Sequence, residues 1–84
     1  MPVISRFYGL SIKMYFKGSE HNPPHIHALY GEYMGVISIK NQELLEGDLP
    51  NRALTLVKEW TKDHETELLN IWNTQKITEI PPLE

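Results

Sequence analysis

The chain lacks cysteine altogether, and this absence excludes both disulfide bonds and thiolate metal sites. No apolar run approaches the ~18 residues of a membrane span, and the first residues lack the apolar core of a signal peptide. Positive charge is scarce as well: 8 Lys and Arg residues stand against 11 Asp and Glu residues, which gives a net charge of −3. We therefore expect a cytoplasmic protein without membrane contacts that does not bind nucleic acid through bulk charge.

The length of 84 residues, without repeats or linkers, is that of one small domain. We expect an α+β fold over residues 1–84, with strands within residues 3–46, one long helix over about 49–76 and an extended tail over 77–84. A domain of this size without disulfides needs a good core, a bound metal or a partner chain for its stability.

The first half predicts an antiparallel β-meander of four to five strands. Residues 10–17 alternate between apolar and polar side chains, as in a half-buried strand. Gly31 and Glu32 fit a two-residue hairpin turn with glycine at its first central position. The predicted strands cover residues 4–8, 10–17, 25–30, 33–40 and, for a short fifth strand, 43–46.

The second half predicts one long helix that packs on one sheet face. Asp48 is a candidate N-cap, and Pro50 suits the first turn, where no N–H is needed. Apolar residues then recur every three or four positions, and His64 falls on this face, which makes it a candidate core histidine. A single helix to residue 76 would be roughly 39 Å long against a usual strand of ~20 Å. It should therefore break near Asp63 or overhang the sheet.

Three of the 4 histidines fall within residues 21–27, in the run His21-Asn22-Pro23-Pro24-His25-Ile26-His27. His25 and His27 are two apart on a predicted strand, so their side chains project from the same face. His21 precedes two prolines, which restrict the backbone of the turn between them. The nearest carboxylates in the sequence are Glu20 and Glu32.

Several readings of this cluster stay open, besides a purely structural one. His21, His25 and His27 could bind zinc or another transition metal, with Glu32 or a water as a fourth ligand. Alternatively, the same strand and loop could be a recognition surface for a protein partner.

Metal-free RNA cleavage is the third functional reading. His25 and His27, with His21, would then act as general acid and base. A nearby cation, for which Lys13, Lys17 or Arg6 is a candidate, would stabilise the charge of the phosphorane.

The chain resembles a bacterial and archaeal family of unknown function, DUF4160, over residues 1–9, 12–16, 20–27 and 30–32. The second half also matches the pattern of this family, at residues 45–47, 49–50, 52–54, 59–60 and 67–69. The HxPPHxH segment at residues 21–27 is the most specific part, and the similarity covers nearly the whole chain. Members of this family often have aspartate or glycine where this chain has Glu20.

The resemblance implies a partner. Members of the family commonly sit beside a second small family, DUF2442, in an arrangement that looks like a toxin–antitoxin pair. This chain would be the toxin-like member and would bind a small antitoxin-like protein. The sheet face that the helix leaves uncovered also favours such a partner, or a homodimer.

Overall fold

The structure, a computed structural model, describes residues 3–14, 23–74, 76 and 78–83. In these residues the strands β1 (Val3–Phe7), β2 (Leu10–Lys13), β3 (His25–Tyr30), β4 (Tyr33–Ser38) and β5 (Leu44–Asp48) precede the helices α1 (Asn51–Asp63) and α2 (Glu65–Thr74). The strands form one antiparallel sheet in the order in which they occur in the chain. The predicted α+β meander is thus confirmed, with five strands.

The hairpin between β3 and β4 has the predicted turn. Tyr30 pairs with Tyr33, and Gly31 between them has a φ of 58°. Glycine adopts this left-handed conformation without the steric cost that a side chain brings. Residues 15–17, the end of the predicted second strand, lie outside the described residues.

The prediction of one long C-terminal helix is wrong, because the helical segment is interrupted at His64. This residue has φ −115° and ψ 22°, outside the ordinary helical region. Its N–H donates to the carbonyl of Trp60 at 3.1 Å, and its ring donates from Nδ1 to Glu67 Oε1 at 2.8 Å. The interruption lies beside Asp63, and α2 buries Leu68 in the same core as α1.

The predicted N-cap is also wrong, because β5 runs further than residue 46. Asp48 is the last residue of β5 and pairs with Met34, while Pro50 takes the N-cap position of α1 without a side-chain capping bond. Gly47, with a φ of 79°, packs closely against the Met34 carbonyl. Strand pairing therefore determines the conformation of Asp48, against its capping propensity.

The core joins one sheet face to both helices, and part of the tail belongs to it. Trp60 is completely buried among strand residues that include Phe7, whose ring centroid lies 5.4 Å from its own. Ile80 is buried, and its N–H donates to the carbonyl of Ile4 at 3.1 Å. The indole Nε1–H of Trp60 donates to the carbonyl of Pro81 at 2.9 Å. These contacts attach the tail to both β1 and α1.

Neither α1 nor α2 has the length and apolarity that crossing a membrane requires.

Candidate histidine site on the sheet

His25 and His27 lie on the sheet face opposite the core. Along β3 the side chains of Ile26 and Ala28 are completely buried, while the two histidines between and before them are half-buried. Since successive strand residues point to opposite faces, the two imidazoles share a face. Their ring centroids are 5.4 Å apart, and the rings meet edge to face.

Lys13 joins this pair from the neighbouring strand. It is the direct partner of His27 in the pairing of β2 with β3. Directly opposed residues on antiparallel strands have Cβ atoms about 4.5–5.5 Å apart and point to the same face. We call Lys13, His25 and His27 the histidine site; it combines two imidazoles and one ammonium group.

A backbone hydrogen bond determines the tautomer of neutral His25. Its Nδ1 lies 2.9 Å from the carbonyl oxygen of Pro23. A carbonyl can only accept, so Nδ1 carries the hydrogen and the lone pair of the neutral ring is on Nε2. The turn that supplies this carbonyl is itself attached to the sheet, because the carbonyl of Pro24 accepts from the N–H of Ile39 at 3.0 Å.

Trp72 of α2 contacts His25, the first residue of β3. Its ring centroid lies 5.0 Å from that of His25, with 59° between the ring planes. His25 is therefore in contact with His27 on one side and with a half-buried indole on another. The residue spacing does not predict this contact, because the direction of α2 depends on the interruption at His64.

On the other side of β3, the neighbours of the two histidines are small side chains of β4. Val36 is the partner of His27 and Ser38 the partner of His25, and both are buried. The Nε2 atom of His27 is buried as well.

The other residues that the sequence suggested for this site do not join it in the described part of the structure. His21, Glu20 and Lys17 lie outside the described residues. Glu32 is exposed in the turn after Tyr30, at the opposite end of β3 from His25 and about 17 Å along the chain from His27 at ~3.3 Å per residue.

His64, the fourth histidine, is half-buried against Trp60, with ring centroids 5.2 Å apart, and is bonded to Glu67 at the interruption between the helices. Within residues 3–14, 23–74, 76 and 78–83, no group of three or more His, Asp or Glu side chains is arranged to hold a metal ion.

Comparison with known proteins gives a family and no activity. No curated protein and no solved structure matches the chain. A family model described as "Domain of unknown function (DUF4160)" matches residues 9–73, which include Lys13, His25 and His27. Because this match covers well over half of the chain, the protein belongs to the family Domain of unknown function (DUF4160).

Proposed function

We propose that this protein is the toxin-like member of a two-protein pair, that it binds a small protein partner, and that it cleaves RNA through the histidine site without a metal. The catalytic part of the proposal is supported by one observation: two imidazoles and one ammonium group lie together on one sheet face. Two imidazole centroids lie 5.4 Å apart, and Lys13 stands opposite His27 on the next strand. This is the set of groups that phosphodiester transfer to a neighbouring hydroxyl needs.

His25 acts as the general base in this proposal. The Pro23 carbonyl holds the hydrogen on Nδ1, so Nε2 takes the proton of the ribose 2′-hydroxyl. The 2′-oxygen then forms a bond to phosphorus, and the bond from phosphorus to the 5′-oxygen breaks. The products are a 2′,3′-cyclic phosphate and a 5′-hydroxyl end.

His27 and Lys13 serve the leaving group and the phosphorane. Protonated His27 gives a proton to the departing 5′-oxygen, which needs one to leave as a hydroxyl. The ammonium of Lys13 stabilises the negative charge that collects on the phosphoryl oxygens in the transition state.

Apolar surface next to the site supports the partner-binding part of the proposal. Leu29 of β3 pairs with Met34 of β4 on the same face as the histidines, and Met34 is 44% exposed. Solvent-exposed apolar residues beside polar ones are a common feature of protein-binding surfaces. A partner bound here would also block access to the histidine site.

Expression in a bacterial host tests the proposal. We expect growth arrest by the wild type and none by a His25→Ala, His27→Ala double variant. His64→Gln is the matched control, because it removes an imidazole that does not belong to the site, and this variant should still arrest growth. Equal arrest by the wild type and the double variant would contradict catalysis by these histidines, and absence of arrest by the wild type would contradict the toxin-like role.

Transition-metal binding is the second candidate, and the tautomer of His25 favours it. Histidines that ligate metals usually donate their other ring N–H to a carbonyl or carboxylate, as Nδ1 of His25 does to Pro23. His27 would be the second ligand and His21 a third. Elemental analysis of protein purified without a histidine tag would show stoichiometric zinc or another transition metal under this alternative, and no metal under RNA cleavage by acid–base chemistry alone.

A further inference from the structure

The outer edge of β1 presents backbone groups that the described sheet does not use. β1 pairs with β2 on one side only. On its other side, one backbone hydrogen bond is made by the described residues, from the N–H of Ile80 to the carbonyl of Ile4. Edge strands with free N–H and C=O groups can be extended by an additional strand.

Among residues 3–14, 23–74, 76 and 78–83, none makes a backbone hydrogen bond to Arg6 on the outer side of β1. Phe7 and Leu10 form the pair that closes the two-residue turn between β1 and β2, so the backbone groups of Phe7 point toward β2. Backbone direction alternates along a strand, and the N–H and C=O of Arg6 therefore point outward, as the carbonyl of Ile4 does. The side chain of Arg6 is exposed.

A cavity of about 280 Å³ lies beside this edge, between β1 and the tail. Ser5, Arg6, Glu79 and Ile80 are among the residues that line it. Ser5 is 7% exposed, and its Oγ is buried without a hydrogen-bond partner among the described residues. Space and outward-pointing backbone groups thus lie next to one another.

Tyr8 extends the edge with an exposed aromatic ring. It is 59% exposed, and its φ of 49° together with the φ of 82° at Gly9 gives the two positive φ values that a two-residue hairpin turn of type I′ requires. A ligand that extends along β1 beyond Phe7 would reach this ring.

A second copy of the chain fits this edge poorly. The carbonyl of Ile4 is already bonded to Ile80, so a symmetric pairing of two β1 strands would be centred on Arg6. It would place two guanidinium groups opposite each other, and like charges directly opposed destabilise a strand pair. An incoming strand with a carboxylate opposite Arg6 would instead be attracted by the guanidinium group.

We propose that the open edge of β1 is a binding site for an extended peptide segment of a protein partner, which pairs with the backbone of Arg6 and places a carboxylate beside its guanidinium. Glu79 lines the same cavity and would repel that carboxylate, so the proposed contact is with the guanidinium of Arg6. At physiological salt, charges more than ~8 Å away are largely screened, and the net charge of the chain matters less than Arg6 itself. The inference rests on the proposed function only for the existence of a protein partner.

Two labelled, blocked peptides test this site by fluorescence anisotropy at physiological salt: one alternates valine with glutamate, the other valine with lysine. We expect the wild type to prefer the glutamate peptide. Arg6→Glu should weaken binding of the glutamate peptide about tenfold, so that this variant prefers the lysine peptide. Glu79→Lys should strengthen binding of the glutamate peptide. Lys40→Glu, the same charge change at an exposed position after β4, is the matched control and should change neither peptide's binding more than about twofold.

Hydrogen exchange on the same complexes tests the backbone pairing. The amide of Arg6 should exchange more slowly with the glutamate peptide bound. Equal binding of both peptides, unchanged binding by Arg6→Glu, or an unprotected Arg6 amide would overturn the proposal. Sedimentation that shows a dimer abolished by Arg6→Glu would overturn it too, because a second copy would then occupy the edge.

The two proposals fail separately. A wild type that arrests growth through its histidines but binds neither peptide refutes the edge site alone. A wild type that binds the glutamate peptide as described but does not arrest growth refutes the toxin-like role alone.

Discussion

Single residues at turns and pairings hold the histidine site in place. His25 is oriented by the Pro23 carbonyl at 2.9 Å and by the Trp72 ring at 5.0 Å, which come from the turn before β3 and from α2. His27 is held between Lys13 and Val36 by the pairing of three strands. The orientation of the site thus depends on both layers of the fold.

Gly47 offers the sharpest prediction for a single residue. A Cβ at this position would collide with the backbone of Met34, and its φ of 79° adds a steric cost for any other residue. We expect Gly47→Ala to lower the free energy of unfolding by about 2–4 kcal/mol.

Gly31→Ala is the matched control for this prediction. Gly31 also has a positive φ of 58°, but an added Cβ there would meet no described atom within 4 Å. We expect a loss of only about 1 kcal/mol. Urea denaturation followed by the fluorescence of the tryptophans measures both variants, and losses of equal size would contradict the packing of β5 against β4 described above.

The contribution of the tail to the core can be tested by substitution. Ile80 is 4% exposed and belongs to the core, whereas Thr78, two residues earlier, is exposed. We expect Ile80→Ala to cost about 2–4 kcal/mol of stability and Thr78→Ala less than about 0.5 kcal/mol. Similar small losses for both variants in denaturant unfolding would show that the tail does not contribute to the core.

Elements whose signal is local were predicted well. β3 has the predicted bounds, because its alternating apolar residues and the Gly31 turn leave little choice of register. His25 and His27 could be placed on one face for the same reason, and the structure adds that their rings are in contact. Residue spacing alone was sufficient to predict that His25 and His27 share a face.

Elements that depend on distant contacts were not predictable in this way. His64 continues the apolar spacing of the helix, so the sequence pattern passes through the interruption without a change. Asp48 has a strong capping propensity, yet pairing with Met34 keeps it in β5. The contact of Trp72 with His25 follows from the direction of α2, which local spacing does not determine.

In the whole molecule, the two faces of the sheet differ in what they contact. One face and the helices form the core, while the other carries the histidine site next to Leu29 and Met34. In the proposed function, a partner bound on this second face covers the histidines, and its extended segment is attached at the β1 edge. Inhibition and partner selection would then use adjacent surfaces of one sheet.

Cleavage of a single-stranded RNA by the purified, untagged protein in the presence of EDTA tests the central claim most directly. We predict products with 2′,3′-cyclic phosphate ends, no cleavage of the same oligonucleotide with 2′-deoxyribose, and a rate at least about a hundredfold lower for His27→Gln. Cleavage at the wild-type rate by His27→Gln, or no cleavage by the wild type, would contradict the assignment of the histidine site as a metal-free ribonuclease centre.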